Sequence, residues 1–276
     1  MRERGAGRAS RVPGGGWRVA QWLALAVGAG GLLAPPPVGA QEWRRNRPMP
    51  DVPESLGTDV PYDGRLVFAR IRFESRTSWG GWANGMPAWG HDYPRAERNF
   101  MRLLDDISAA RAYVDGSRIV RLDDPELFRY PIAYLCEPGF WTLNDEEEAG
   151  LRAYLAKGGF LIFDDFDGRD WGNFAMMMER VLPGVEFFPM SVDHPVYQAF
   201  FAMERLELPN PQSRQPAKFY GVFEDNDPDK RLLAIVNYDT DIGDYFEYSD
   251  LGFMPVDDSN EAYKIGVNYW MYALTH

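Results

Sequence analysis

The sequence predicts an α/β fold, a three-layer α/β/α sandwich built around a mostly parallel sheet. Three observations support this prediction. Short β-rich segments alternate with segments of helical periodicity along the chain. Single helices separate most of the strands, which favours parallel pairing through right-handed crossovers. Residues 160–165, "FLIFDD", form an almost unbroken apolar strand, which is typical of a strand covered by helices on both faces.

The elements predicted in the first half of the domain agree with this fold class. "RLVFARIRF" predicts a strand, and Pro94 opens a helix whose apolar residues recur at helical spacing. Asn144 and Glu147 have the spacing of a capping box at the start of a predicted acidic helix, and two glycines end that helix. The other predicted elements of this half are the strand "RIVRL", the helical turn "DDPELF" and the strand "YPIAYLC".

The second half continues the pattern after residues 160–165. Phe174, Met177, Met178 and Val181 lie on one side of a predicted helix, and methionines at this spacing are typical of a core. "KFYGVFED" and "RLLAIVNYD" predict a strand pair that adds an antiparallel edge. The remaining predicted elements are the strand "VEFFPM", the short helix "HPVYQAFF" and the closing helix "EAYKIGVNYWMYALT".

The N-terminal residues carry the pattern of a secretory signal. Five arginines precede the apolar stretch "WLALAVGAGGLLA", and small residues at Val38 and Ala40 fit a cleavage site before Gln41. We therefore predict a signal peptide over residues 1–40, a Pro-rich linker over 41–63 and a single α/β domain over 64–276. The expected location is periplasmic or extracellular, without membrane insertion after signal cleavage. The alternative is an uncleaved N-terminal anchor.

Charge restricts the classes of partner. The chain has a net charge of −12, and because residues 1–40 hold five arginines and one glutamate, their removal would lower it to −16. A chain this acidic repels phosphate backbones, which argues against nucleic acids and anionic membrane surfaces as partners. A small molecule, a sugar or a protein remains as the expected ligand. With Cys136 as the sole cysteine, no internal disulfide can form.

The predicted sheet places the candidate site at the carboxyl ends of its strands, where open parallel sheets bind ligands. "DDFDGRDW" directly follows one strand, and loops rich in tryptophan, glycine and acids follow the others. Aromatic rings beside carboxylates are suited to gripping sugars and other ligands with apolar faces. The candidate ligand-binding residues are Trp79, Trp82, His91, Asp92, Asp164, Asp165, Asp239 and Asp241.

Three interpretations of Asp164, Asp165, Asp167 and Asp170 stay open. One is structural, with Asp167 or Asp170 capping the following helix and another aspartate bracing the loop. The second is a divalent-cation site with Asp164 and Asp165 as ligands, since hard cations prefer several oxygens. The third is paired general acid and base catalysis. The pattern establishes no other cofactor.

Seven motifs in order resemble the bacterial domain of unknown function 4159 family, from about residue 65 to the C-terminus. They are "FARIRFES", "WGHDYPRAERNFMRLL", the segment from "DPELF" to "FDDF", "DHPVYQAFF", "YGVFED", "NYDTDIGDYFEY" and "AYKIGVNYWMYALTH". The resemblance implies a flavodoxin-like fold, similar to class I glutamine amidotransferase domains, in exported or membrane-tethered bacterial proteins. It implies no activity. The amidotransferase elbow Gly-x-Cys-x-Gly is absent around Cys136, and "HPVY" carries no acid after its histidine.

Three functions follow as alternatives. The leading hypothesis is a domain that binds a ligand or partner at the carboxyl rim of its sheet without covalent catalysis. The second is a hydrolase of cell-envelope or polysaccharide material, in which Asp164 or Asp165 and His91 act as acid and base, with or without a divalent cation. The third is a structural component of an envelope complex.

Overall fold

The computed structural model describes residues 60, 62–75 and 87–276. The predicted signal segment and nearly all of the predicted linker lie outside these residues. The strands are β1 (Ala69–Ile71), β2 (Glu74–Ser75), β3 (Arg118–Val120), β4 (Ile132–Cys136), β5 (Trp141–Thr142), β6 (Phe160–Asp164), β7 (Phe188–Pro189), β8 (Lys218–Phe223) and β9 (Leu232–Tyr238). The helices are α1 (Arg95–Ile107), α2 (Asp145–Ala156), α3 (Asp170–Val181), α4 (Ile242–Glu247) and α5 (Val256–Thr275).

Seven of the strands form one mixed sheet in the order β3-β1-β4-β6-β9-β8-β7. The neighbours from β3 to β9 pair in parallel, whereas β8 is antiparallel to β9 and β7 is antiparallel to β8. The prediction of an α/β fold with a mostly parallel sheet is therefore confirmed, and the late strand pair forms its antiparallel edge. A separate two-stranded ribbon joins β2 and β5.

Alternate residues of each strand point to opposite faces of the sheet, as the pleat requires. Tyr134 belongs to a core cluster that includes residues of α1, α4 and α5, whereas its neighbour Leu135 belongs to a second cluster with α2 and α3. The same alternation separates Ile162 from Phe163 in β6. All residues of the central strands β4 and β6 are buried.

Local capping residues account for the start of some helices but not of others. Asn144 caps α2 and forms the predicted capping box with Glu147. The N-cap of α3 is Arg169, which makes no side-chain cap hydrogen bond, so neither Asp167 nor Asp170 caps this helix. That part of the structural interpretation was wrong.

Three further elements differ from the sequence predictions. "HPVYQAFF" contains a 3-10 turn at Pro195–Tyr197 rather than a full helix. The acidic loop after β9 includes a short helix, α4, that the sequence analysis treated as irregular. The closing helix begins at Val256, five residues earlier than predicted. In the described ranges, none of the helices combines the length and the apolar character that crossing a bilayer requires.

Candidate functional site

The loops that follow β1, β6 and β9 meet at the carboxyl rim of the sheet and bring four polar residues together. His91, Asp92, Asp165 and Asp241 each offer a ligand atom, and all these atoms lie within 4.8 Å of one another. The Nδ1 atom of His91 is 2.6 Å from Asp165 Oδ2, 3.4 Å from Asp92 Oδ1 and 4.0 Å from Asp241 Oδ2. We call these four residues the histidine–aspartate cluster. Half of the eight candidate residues predicted from the sequence belong to it.

Arg70, in the centre of β1, positions the loop that carries His91. Its fully buried guanidinium forms an ion pair with Glu97 of α1. One terminal nitrogen also donates to the backbone oxygens of Trp89, at 3.0 Å, and His91, at 2.8 Å. The sequence analysis missed Arg70, although a charged residue in the middle of an apolar strand was a usable signal, since buried arginines are almost always paired.

Asp92 is the most unusual member of the cluster. Its carboxylate is completely buried, and within the described part of the chain neither oxygen accepts a hydrogen bond. Burial raises the pKa of Asp92 to about 8, opposed by the nearby His91 and reinforced by the charges of Asp244 and Asp165. A buried carboxylate without hydrogen bonds is costly and normally calls for a compensating partner.

Asp165 and His91 form the accessible side of the cluster. Asp165 adopts a left-handed backbone conformation, with φ of 60°, and its Oδ2 lies 2.6 Å from His91 Nδ1. The side chains of His91 and Asp165 are 13% and 12% exposed, whereas those of Asp92 and Asp241 are buried. A ligand would therefore reach the cluster past His91 and Asp165.

Asp241 connects the cluster to α4. It is the N-cap of that helix, and its Oδ1 accepts the backbone N–H of Asp244 at 2.8 Å. Burial raises the pKa of Asp241 well above its usual range, and the charges of Asp165, Asp244 and Asp92 raise it further. Acidic groups are thus gathered closely where the histidine–aspartate cluster meets α4.

Asp164, the other metal candidate from the sequence, lies next to the cluster but outside it. Its carboxylate accepts four hydrogen bonds: from Tyr134 Oη at 2.6 Å, Asn237 Nδ2 at 3.1 Å, and the amides of Ile242 and Gly243, each at 3.0 Å. Burial raises the pKa of Asp164, and these hydrogen bonds act in the opposite direction. Its oxygens anchor the start of α4.

A second group of acids shares Asp92. Asp92, Asp244 and Glu247 are all buried, and each offers a carboxylate oxygen within 4.8 Å of the others. We call these three residues the carboxylate cluster. The sequence analysis missed Asp244 and Glu247, although the spacing of three residues from Asp241 to Asp244 and again from Asp244 to Glu247 was a signal that they share one side of a helix.

The remaining candidates lie outside the histidine–aspartate cluster or outside the described residues. Asp239 pairs with Lys218 at the rim and lines a pocket of about 340 Å³ rather than the histidine–aspartate cluster. Trp79 and Trp82 lie outside the described residues. The lining of this rim pocket is Asp167, Gly168, Asn210, Ser213, Gln215, Pro216, Lys218 and Asp239.

Cys136 ends β4 beneath the cluster and has no features of a nucleophile. It is completely buried, and its Sγ lies 3.4 Å from both an Arg70 nitrogen and the backbone oxygen of Ala88. Burial raises its pKa well above the usual value. Since the thiolate is the reactive form, this environment does not support covalent catalysis.

The two clusters have the composition of a cation site. Ligand atoms on one divalent cation lie about 2–2.2 Å from the ion and so about 3–4 Å from one another, and the distances of 3.4 Å and 4.0 Å from His91 Nδ1 to Asp92 and Asp241 fall in this range. Carboxylates favour magnesium, calcium or manganese, and the imidazole adds affinity for transition metals. The acidic clusters could therefore hold a metal.

Comparison with known proteins establishes the family but no activity. No curated protein matches the chain significantly. A family model described as "Domain of unknown function (DUF4159)" matches residues 68–274, which span β1 to nearly the end of α5 and include both clusters. The resemblance seen in the sequence motifs is confirmed at this level. The chain belongs to the DUF4159 family of domains of unknown function.

Proposed function

We propose that this domain binds a divalent cation at the carboxyl rim of its sheet, with His91, Asp92, Asp165 and Asp241 as ligands. This makes specific the leading hypothesis of ligand binding without covalent catalysis. Manganese suits a set of three carboxylates and one imidazole. The cation is either the ligand itself or the group through which the domain binds a further ligand.

Asp92 carries this proposal. Its buried carboxylate accepts no hydrogen bond from the described residues and lies among other acids. Desolvating a carboxylate costs several kcal/mol unless a partner compensates. By contrast, Asp164 is equally buried and receives four hydrogen bonds. A cation between Asp92 and its neighbours would compensate the desolvation of these carboxylates, as the four hydrogen-bond donors do for Asp164.

The strand order supports a finer description of the fold. The parallel part of the sheet, β3-β1-β4-β6-β9, has the order 2-1-3-4-5 of flavodoxin-like folds when the strands are renumbered among themselves. Helices from both core clusters support a three-layer α/β/α sandwich. We propose that the likeness to glutamine amidotransferase domains concerns the fold and not the activity, because Cys136 is buried beneath the rim.

A metal-dependent hydrolase is the second candidate. The rim pocket of about 340 Å³ favours it, because six of its eight lining residues have polar side chains and the pocket opens on the same rim. A substrate from the cell envelope or a polysaccharide would offer hydroxyl groups to such a lining. A metal at the histidine–aspartate cluster would supply Lewis acidity. This candidate requires the same cation, so absence of cation binding would contradict it too.

The test is thermal melting of the purified protein in EDTA and then with magnesium, calcium, manganese or zinc. We expect at least one cation to raise Tm, because a ligand at about a hundred times its Kd stabilises the native state by about 2.7 kcal/mol. His91→Gln, Asp92→Asn and Asp165→Asn should each abolish most of that rise. Asp239→Asn is the matched control, since Asp239 lies on the same rim outside the cluster, and it should retain the rise.

The melting temperature in EDTA separates a binding site from a structural brace. We expect Asp92→Asn to melt at or above the wild-type temperature without metal, because it replaces a buried carboxyl group that accepts no hydrogen bond from the described residues. If no cation raises Tm, or if the cluster variants respond to metal as Asp239→Asn does, the proposal is wrong.

We further propose that the domain is exported, to the periplasm or outside the cell. The arginine-rich start, the apolar stretch and the Val38-Gly39-Ala40 site support this location. The net charge of the remaining chain supports a small molecule, a sugar or a protein as the further partner.

A further inference from the structure

Asp92 belongs to both clusters, and its two oxygens face different neighbours. Oδ1 lies 3.4 Å from His91 Nδ1, on the side of the histidine–aspartate cluster. Oδ2 faces the first turn of α4, since a Cβ added to Gly243 would lie only 2.4 Å from it. Glycine at position 243 therefore permits Asp92 to approach the helix that carries Asp244 and Glu247.

The hydrogen-bond donors at the start of α4 are already used by other carboxylates. The amides of Ile242 and Gly243 donate to Asp164, and the amide of Asp244 donates to Asp241. The guanidinium of Arg70 pairs with Glu97 and donates from Nη1 to loop carbonyls, while its Nη2 donates to none of the described groups. None of these groups donates to Asp92, whose Oδ2 is buried and faces the first turn of α4.

From this geometry we infer that the domain holds two divalent cations bridged by Asp92, the second one bound by Asp92, Asp244 and Glu247. This inference rests on the proposed function, because the first cation is the one held by His91, Asp92, Asp165 and Asp241. A bridging carboxylate places two ions about 3.5–4 Å apart, the separation found in two-metal centres. The second ion has an all-carboxylate set among the residues named, which favours manganese, magnesium or calcium.

The probe is Mn²⁺, added to the purified, EDTA-stripped protein and followed by calorimetric titration and by electron paramagnetic resonance. We expect two Mn²⁺ per chain and the resonance spectrum of an exchange-coupled pair, a readout that needs no variant. Glu247→Gln and Asp244→Asn should bind a single Mn²⁺ and give the spectrum of an isolated ion. Asp165→Asn should weaken the other site at least about tenfold.

Asp250→Asn is the matched control, because Asp250 is an exposed acid three residues beyond Glu247 that pairs with Arg95. It should bind two Mn²⁺. Circular dichroism in EDTA confirms that each variant is folded. If the wild type binds one uncoupled Mn²⁺ and Glu247→Gln leaves it unchanged, the second site is wrong while the proposed function holds. If the wild type binds none of Mn²⁺, Mg²⁺, Ca²⁺ and Zn²⁺, both fail.

Discussion

Asp164 and Asp165 are adjacent in sequence, yet they occupy different environments. Asp164 is the last residue of β6, and its side chain receives hydrogen bonds from Tyr134, Asn237 and the start of α4. Asp165 takes a left-handed conformation and pairs with His91, 74 positions away in sequence. Asp164 therefore serves as a structural anchor, whereas its neighbour Asp165 is a candidate ligand.

The residue-scale prediction concerns Asp164→Asn. The asparagine amide presents a donor where the carboxylate accepted, so at least one buried N–H or O–H group loses its partner. We expect the free energy of unfolding in EDTA to fall by about 2–4 kcal/mol, since hydrogen bonds to charged groups contribute about 1.5–3 kcal/mol each. Urea unfolding followed by circular dichroism measures this change.

Asp167→Asn is the control for that measurement, because Asp167 is exposed in the same loop. Its effect on unfolding should stay within about 0.5 kcal/mol. Asp164→Asn should also retain the metal-induced rise in Tm that Asp165→Asn loses. The assigned roles are contradicted if Asp164→Asn is as stable as wild type, or if it alone abolishes the response to metal.

At the scale of elements, the turn at Pro195–Tyr197 shows how a short segment is held. His194 is its N-cap, and Nδ1 accepts the backbone N–H of Val196 at 3.1 Å. The ring packs against Phe223 and Tyr272. Burial lowers the pKa of His194, and the charge of His276 lowers it further. The ring must be unprotonated at Nδ1 to accept this bond.

This environment predicts a pH dependence of stability. Above the unfolded-state pKa, about 6.5, His194 is neutral in both states. As the pH falls through that value, the unfolded chain takes up a proton that the folded chain resists, so the contribution of His194 to stability decreases. We expect unfolding free energies to fall more between pH 7.5 and pH 5 in the wild type than in His194→Asn, which keeps a cap acceptor but does not titrate. Equal pH slopes in urea titrations would contradict this account.

At the scale of the whole molecule, strand order determines which loops meet. The ends of β1, β6 and β9 lie on one rim because these strands are parallel and separated only by β4 between β1 and β6. Arg70 then links the β1 strand to the loop of His91 and to Glu97 of α1. A site assembled from loops so far apart in sequence depends on the complete sheet.

Export is the prediction that concerns the whole chain. Expressed in a secretion-competent bacterium, the protein should be recovered outside the cytoplasm with Gln41 as its first residue, as measured by intact mass. Ala40→Phe should block cleavage, because the peptidase reads a small residue at that position. A wild-type chain retained in the membrane with residues 1–40 attached would show instead that this segment is an anchor.

Local signals predicted most of the elements. The apolar segments at residues 132–136, 160–164 and 232–238 became central strands, and the capping box at Asn144 formed as expected. The errors came where tertiary contacts outweigh local propensity. The start of α4 is held partly by Asp164, a residue 78 positions away from Ile242, and no local pattern reveals that contact.

The sequence by itself determined the class of fold, the mostly parallel sheet, the family and the rim on which acidic residues collect. Hydrophobic periodicity and caps act over a few residues and are sufficient for the fold class and the sheet, whereas the family followed from the resemblance of seven motifs. Only the tertiary structure decided that Asp165 meets His91 while Asp164 anchors α4, and that Asp244 and Glu247 join Asp92. The physical reason is that burial and the spacing between charges depend on which distant loops the sheet brings together, and local sequence does not encode either quantity.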